Sequence, residues 1–297
     1  MYRKSVVLIL VMAFFIPSFL FAGGENDKCA TKNPVILAHG MFAHDDMLGF
    51  IDYWWGIEDA LEDEGCEVYV TSVNSMDSSE AKAEDWKQQV MEIAILSGKD
   101  KFNVIGHSHG GIYTRYAISN LGLDDKIVSH TSYCSPQRGS AAADVIMGIV
   151  PDPLEGFVGW MVNTFIAGFV YGDTDPDSIA NGYGVTRDYM NNVFNPNTPD
   201  MPEIYYQSYA TKIKTITADM VLEPSWVLLN FYEGANDGLV SVDSAKWGTF
   251  KGVESGAWWA GGVSHINAIG HFFGITPGFD AGEHFVDIVS DLKNMGY

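Results

Sequence analysis

The stretch with the clearest chemical potential is a serine set between two histidines and bracketed by glycines. Residues 106–110 read Gly-His-Ser-His-Gly, follow the strand-like run FNVI and precede a helix-like run that ends at Asn120. Glycines at such a turn let the strand and the helix approach closely, and the serine is then held at a sharp bend. We predict that Ser108 is a nucleophile, with an ordinary glycine-rich turn as the alternative.

The nucleophile needs a base, because a serine hydroxyl reacts poorly until a histidine accepts its proton and a carboxylate orients that histidine. His265 is the predicted base, since it follows the run WWAGGVS, predicted as a strand, and opens the loop HINAIGH. His271 falls on the helical run that follows, and His284 falls in the C-terminal helix. Both are predicted to be surface or packing residues.

The carboxylate is predicted at Asp237. In α/β hydrolases the acid lies between the serine and the histidine in the chain. The run WVLLNFYEG, predicted as a strand, leads into ANDGLVS and places Asp237 in the turn just beyond it. The sequence Asn-Asp-Gly is also ordinary turn chemistry, and Glu233 and Asp243 are rival acids.

An oxyanion hole requires backbone N–H donors near the serine. The residue after the nucleophile supplies one, which is His109. The run VILA ends at His39-Gly40, and the glycine lets the chain turn so that the N–H of Met41 can supply the second. His39 is predicted to hold this loop by hydrogen bonds.

The elements that position these residues alternate between strands and helices. The helix-length segments are Gly49–Glu64 and Ser78–Leu96, and the predicted strands are Pro34–Ala38, Glu67–Val73, Phe102–Ile105, Ile127–Cys134 and Trp226–Tyr232. This alternation predicts an α/β fold, a mostly parallel sheet with helices on both faces. At 297 residues and 47% hydrophobic composition, a single large domain is expected.

Residues 1–22 have the pattern of a secretory signal peptide, with Arg3 and Lys4 before an apolar run. An uncleaved membrane anchor is the alternative. We expect the protein to be secreted, with residues 23–297 as one domain. Cleavage removes two basic residues and no acidic one, so the formal net charge of −21 becomes −23. Such an acidic chain is not expected to bind nucleic acid.

Three cysteines are present, at Cys29, Cys66 and Cys134. In an exported protein one disulfide is possible. Cys29 and Cys66 each precede a predicted strand, and if the two strands are parallel neighbours both thiols lie at one sheet edge. A Cys29–Cys66 disulfide is therefore predicted, with Cys134 as a buried hydrophobe.

An uncharged segment, Gly156–Gly172, interrupts the alternation. It is barely long enough to span a bilayer, and a buried core helix is a second reading. We predict instead a lid over an apolar site, inserted at about residues 140–180.

Across nearly the whole mature chain, the sequence resembles the secreted true lipases of bacterial lipase family I. The matching segments, in order, are LAHGMF, DYWWGIEDAL, VYVTSVNSMDSSE, NVIGHSHGG, RYAI, GANDGLV and LKNMGY. The resemblance implies an α/β-hydrolase core with a helical lid, and hydrolysis of long-chain acylglycerols at lipid–water interfaces. It matches Ser108, Asp237 and His265 to the triad, and Met41 and His109 to the oxyanion donors. Some members need a dedicated folding chaperone.

The resemblance also implies a structural calcium ion that braces the loop of the catalytic histidine. Asp219 matches the first aspartate ligand, and the carbonyls of His271 and Ile275 match the backbone ligands. Asn267 stands where the family has its second aspartate. Since the amide keeps an oxygen but lacks the charge, weakened calcium binding is expected.

Three functions stay open at this point. A triacylglycerol lipase is the main hypothesis, and a carboxylesterase or phospholipase is the alternative with the same chemistry, because only the acyl pocket and the lid choose the substrate. A secreted lipid-binding protein without turnover is the third.

Overall fold

A computed structural model describes most of the chain, and within its described part six strands form one sheet. The described residues are 27–41, 46–47, 51–154, 156–161, 177–215, 218–271 and 274–297. The predicted signal peptide, residues 1–22, lies outside them, and so do residues 162–176 of the predicted lid.

The six-stranded sheet is parallel at every pairing. Its strands are β1 (Val35–Ala38), β4 (Val68–Thr71), β5 (Phe102–His107), β6 (Ile127–Tyr133), β7 (Tyr205–Thr211) and β8 (Thr249–Glu254). They lie in the order β4-β1-β5-β6-β7-β8. A separate two-stranded ribbon contains β2 (Asp46–Met47) and β3 (Ile51–Asp52). The predicted α/β class with a mostly parallel sheet is confirmed.

Helices follow most strands. They are α1 (Ile57–Asp63), α2 (Ser79–Ser97), α3 (Gly110–Asn120), α4 (Ala141–Ile146), α5 (Phe157–Met161), α6 (Asp177–Tyr183), α7 (Arg187–Tyr189), α8 (Asn195–Asn197), α9 (Glu223–Tyr232), α10 (Val242–Ala245) and α11 (Ala281–Met295). A π-helical turn, Met190–Phe194, joins α7 to α8, and a 3₁₀ turn spans Asn267–Ile269. Within the described residues, no helix has the length and apolar character needed to cross a membrane.

The core lies on both faces of the sheet, because successive strand residues point to opposite sides. Val35 and Leu37 of β1 join a cluster with α1 and α11, which includes Phe285. Ile36 and Ala38 join a second cluster with α2 and α3. The predicted helical layers on both faces are therefore present.

The prediction of a strand at Trp226–Tyr232 is wrong, since these residues belong to α9. Pro224 lies in the first turn of that helix, where its missing N–H costs nothing. Leu228 and Leu229 are buried against α4 whereas Phe231 is exposed, which is a helical pattern. The run WWAGGVS is also not a strand, and it forms turns with both tryptophans exposed.

The predicted disulfide is absent, and Cys29 and Cys66 are free buried thiols. Their strands are parallel neighbours, as expected, and both residues lie in one core cluster. Each thiol instead points to a different carbonyl: Cys29 Sγ donates to Val286 O at 3.5 Å, and Cys66 Sγ to Glu67 O at 3.6 Å. Burial raises the pKa of Cys29 to about 11. Cys134 is buried, as expected.

Candidate active site

Ser108 occupies the predicted turn between β5 and α3. Its φ is +56°, a left-handed conformation that is strained for a residue with a side chain. A Cβ on Gly106 would come within 2.5 Å of the Gly110 backbone, and one on Gly110 would come within 2.1 Å of Ala38 O. The glycines are thus required by the close approach of strand and helix, and they leave the serine at the carboxyl end of the sheet.

Asp237 and His265 form a buried pair. The distance from His265 Nδ1 to Asp237 Oδ2 is 2.8 Å, and the two residues are 3% and 1% exposed respectively. The other carboxylate oxygen, Oδ1, accepts the N–H groups of Leu239 and Val240. The backbone adds a second link, because His265 N–H donates to Asp237 O at 2.8 Å. Asp237 therefore fixes the orientation of the imidazole. The element before Asp237 is the helix α9 and not the predicted strand.

His265 lies beside the Ser108 turn. Its ring packs against that of His107, the residue before Ser108, with centroids 4.6 Å apart. Burial lowers the pKa of His107 well below its usual value, so this neighbour is neutral. Within the described structure, Ser108 Oγ forms no hydrogen bond to His265. In unliganded sites such contacts are often long and tighten with substrate bound.

The rival acids have other partners. Asp243 is exposed and pairs with Lys246. Glu233 accepts the N–H of Ala141, and burial raises the pKa of its carboxyl group. Among the three acids, Asp237 is the one that holds the predicted base.

The two other downstream histidines serve packing. His271 is buried, and its Nε2 lies 3.0 Å from Tyr53 O. His284 packs against Tyr133 and Tyr209, and burial lowers its pKa to about 4.

Gly40 brings the loop of Met41, a candidate oxyanion donor, against Ser108. A Cβ at Gly40 would lie 2.6 Å from Ser108 Cβ, so any side chain there would displace the serine. His39 anchors this loop, as expected, since it accepts the Val73 N–H at Nε2 and donates from Nδ1 to Gly40 O. Neither the Met41 N–H nor the His109 N–H donates to another group in the described part of the chain. Both are available to a substrate oxygen.

The sequence analysis did not predict two polar residues of the site, Tyr53 and Lys82. Tyr53 OH accepts the Gly40 N–H at 2.9 Å and donates to His107 Nδ1 at 2.6 Å. Lys82 is buried and donates to His109 Nδ1 at 2.8 Å. A signal for Lys82 existed, since it lies on the face of α2 that buries Trp86 at i+4.

Two of the four residues matched to calcium ligands, Asn267 and His271, bond to each other. Asn267 Oδ1 accepts the Ser264 hydroxyl, and Asn267 Nδ2 donates to His271 O, one of the expected ligands, at 3.0 Å. To bind calcium, Asn267 would have to turn its amide oxygen toward the ion, at the position where its N–H group now faces His271 O. Asp219 Oδ2 is buried without a partner, but Oδ1 accepts two backbone N–H groups. No described group of three His, Cys, Asp or Glu side chains could hold a metal.

We expect Asn267 to brace the histidine loop directly through its amide group. Chelation should then leave the melting temperature of the wild-type protein unchanged. Asn267→Asp should lower it without calcium, because a carboxylate would face the His271 carbonyl, and added calcium should restore it. Thermal melting with chelator and with calcium measures both. A wild-type protein that loses stability on chelation would instead support the calcium site that the resemblance implies.

Comparison with known proteins identifies the family of this chain. The family model described as palmitoyl protein thioesterase matches residues 34–198, more than half of the chain. A triacylglycerol lipase of Vibrio cholerae is 35% identical over 151 residues, 49% of this chain and 47% of that protein. Triacylglycerol lipase 2 of Saccharomyces cerevisiae is 31% identical over 209 residues, 68% of this chain and 59% of that protein. The chain thus spans about half the length of the curated relatives it matches.

A solved structure gives the same fold. The mature lipase of Bacillus licheniformis is 17% identical, with a TM-score of 0.66 over 89% of this chain and 93% of that one. The predicted resemblance to lipases of the α/β-hydrolase fold is confirmed. The chain belongs to the palmitoyl protein thioesterase family and has the α/β-hydrolase fold.

Proposed function

We propose that this protein is a secreted serine lipase that hydrolyses the ester bonds of acylglycerols. The observation that carries the proposal is the pairing of His265 Nδ1 with Asp237 Oδ2 at 2.8 Å, beside a serine held at φ +56°. Its similarity to triacylglycerol lipases supports the substrate class. The signal-like residues 1–22 support export.

In the proposed mechanism, Ser108 Oγ attacks the ester carbonyl carbon while its proton moves to His265 Nε2. Asp237 accepts the Nδ1–H bond and stabilises the imidazolium that forms. The N–H groups of Met41 and His109 stabilise the negative carbonyl oxygen of the tetrahedral intermediate. His265 then gives its proton to the leaving alcohol, and an acyl-enzyme remains. Water, activated by His265, releases the fatty acid and restores Ser108.

An exposed apolar surface supports action on lipid aggregates. Trp258, Trp259 and Ile275 are 90%, 66% and 76% exposed, and Trp259 and Ile275 line one cavity of about 410 Å³ together with Asn267, two residues from His265. Adjacent exposed tryptophans are characteristic of lipid–water boundaries, where the indole has an apolar body and a polar N–H. We call these three residues the tryptophan patch. The lid predicted at about residues 140–180, which includes Gly156–Gly172, stays a prediction, since residues 162–176 lie outside the described part.

A palmitoyl thioester is the second candidate substrate, because the matching family model carries that description. A carboxylesterase or phospholipase would use the same triad and oxyanion hole.

Hydrolysis of four substrates separates these functions. Emulsified long-chain triacylglycerol should be cleaved faster than phospholipid vesicles and palmitoyl thioester, while a soluble short-chain ester reports the chemistry alone. Preference for the thioester would favour the second candidate, and no turnover of any substrate would support a lipid-binding protein.

Serine substitution of Trp258 and Trp259 together tests the tryptophan patch. We expect the rate on the emulsion to fall about tenfold, since two indoles leave the interface, with the soluble ester unaffected. Leu96→Ser is the matched control, because Leu96 is 86% exposed near the far end of α2, roughly 25 Å along the helix from Ser79. Equal losses on both substrates would contradict an interfacial role.

A further inference from the structure

A lysine is buried directly behind the candidate oxyanion hole. Lys82 is 1% exposed and lies in the first turns of α2. Its Nζ donates to Ser75 O at 2.7 Å and to His109 Nδ1 at 2.8 Å. His109 is the residue after Ser108, and its backbone N–H is a proposed oxyanion donor. Lys82 therefore contacts the side chain of His109, the residue whose backbone N–H is proposed to stabilise the oxyanion.

The lysine fixes the proton arrangement of His109. Burial lowers the pKa of His109 well below its usual value, so the ring is neutral. Since Nδ1 accepts from Lys82, the ring proton lies on Nε2, which donates to Ser79 Oγ at 2.7 Å. Both ring nitrogens are thus held by α2, from opposite edges of the ring. The imidazole cannot rotate about its side-chain bonds without breaking a hydrogen bond.

Stability does not account for a lysine at this position. Burial of an amine costs free energy unless a charged partner offsets it. Within the described residues, Lys82 forms no ion pair, and it donates to a carbonyl and a neutral ring. Burial lowers the pKa of its amine well below the usual value, and the negative charge of Asp77 offsets this effect only in part. An apolar side chain of the same length would avoid this cost. The lysine is better explained by what it does to His109.

We infer that Lys82 is a positioning residue of the oxyanion hole. Through the His109 ring it holds the peptide between Ser108 and His109, so that the His109 N–H keeps its direction as negative charge develops on the substrate oxygen. This inference rests on the proposed function. The same network reaches α6, because Ser75 O also accepts from the buried Asn181 Nδ2 at 3.2 Å. The network thereby ties α6, at the C-terminal end of the predicted lid, to the oxyanion donor.

The test compares Lys82→Met, which keeps the length and removes the donor, with Lys82→Gln, which keeps an N–H donor. On a soluble ester, Lys82→Met should lower kcat by about tenfold to a hundredfold with little change in KM, because a misdirected donor affects mainly the transition state. Lys82→Gln should recover part of the loss. Labelling of Ser108 by a phosphonate ester should slow by a similar factor, since the phosphoryl oxygen occupies the same hole.

Val90→Ala is the matched stability control, since Val90 is fully buried on the same helix and packs in the core. It should lower the melting temperature and leave kcat unchanged. If Lys82→Met fails to fold, Ser79→Ala removes the other ring contact and should also lower kcat. A folded Lys82→Met or Ser79→Ala with wild-type kcat and labelling rate would overturn the inference. A wild-type protein not labelled at Ser108 would instead overturn the proposed function.

Discussion

Replacement of Ser108 by alanine is expected to abolish most of the ester hydrolysis, with kcat lower by about a thousandfold or more. Without Oγ there is no nucleophile, and His265 and the oxyanion donors can only assist direct attack by water. The fold should survive, although alanine at φ +56° keeps the backbone strain of this position. The measurements are kcat on a soluble ester and the melting temperature.

A phosphonate ester should label the wild-type protein once, at Ser108, and leave Ser108→Ala unlabelled. Ser119→Ala is the matched control, because Ser119 lies on α3, the helix that begins just after the nucleophile. It should retain wild-type rate and labelling. Equal labelling of the wild type and Ser108→Ala would contradict the assignment of the nucleophile.

Asp237→Asn is expected to lower kcat by roughly 10³-fold to 10⁴-fold while leaving the fold intact. The reason lies in the hydrogen bonds of the carboxylate. Oδ1 accepts two backbone N–H groups, from Leu239 and Val240. An asparagine must place its oxygen there, so its NH₂ group faces His265 Nδ1. The imidazole then accepts at Nδ1 and carries its proton on Nε2, the nitrogen that should receive the proton of Ser108.

Asp243→Asn is the control for this substitution, because Asp243 is the rival acid in the same loop region and pairs with Lys246 at the surface. It should keep wild-type kcat. The pH dependence of kcat/KM adds a second readout, since Asp237→Asn should regain part of its activity at high pH, where hydroxide can remove the Ser108 proton in place of His265. A kcat close to that of the wild type in folded Asp237→Asn would remove Asp237 from the mechanism.

Two errors in the predicted secondary structure have different physical causes. The run at Trp226–Tyr232 is apolar enough to suit either a buried strand or a helix, and periodicity cannot separate them over so short a length. The helix is favoured in the folded protein because Leu228 and Leu229 pack against α4. The strand β7 was missed for the opposite reason, because it buries polar residues. Gln207 donates to Thr131 Oγ1 and Ser208 to Trp247 O, and these partners are distant in the chain.

What the sequence determined by itself is local. The turn at Ser108 follows from glycines that no other residue can replace at such short distances. Strands β1, β4, β5 and β6 follow from runs rich in β-branched and aromatic residues. Other features were decided only by the tertiary structure, because they depend on which residues far apart in the chain come into contact. It left Cys29 and Cys66 as free thiols, and it directed the Asn267 amide to His271 O. It also placed Lys82 against His109, because a hydrogen bond across 27 residues is set by the packing of α2 on α3, which no short stretch of sequence encodes.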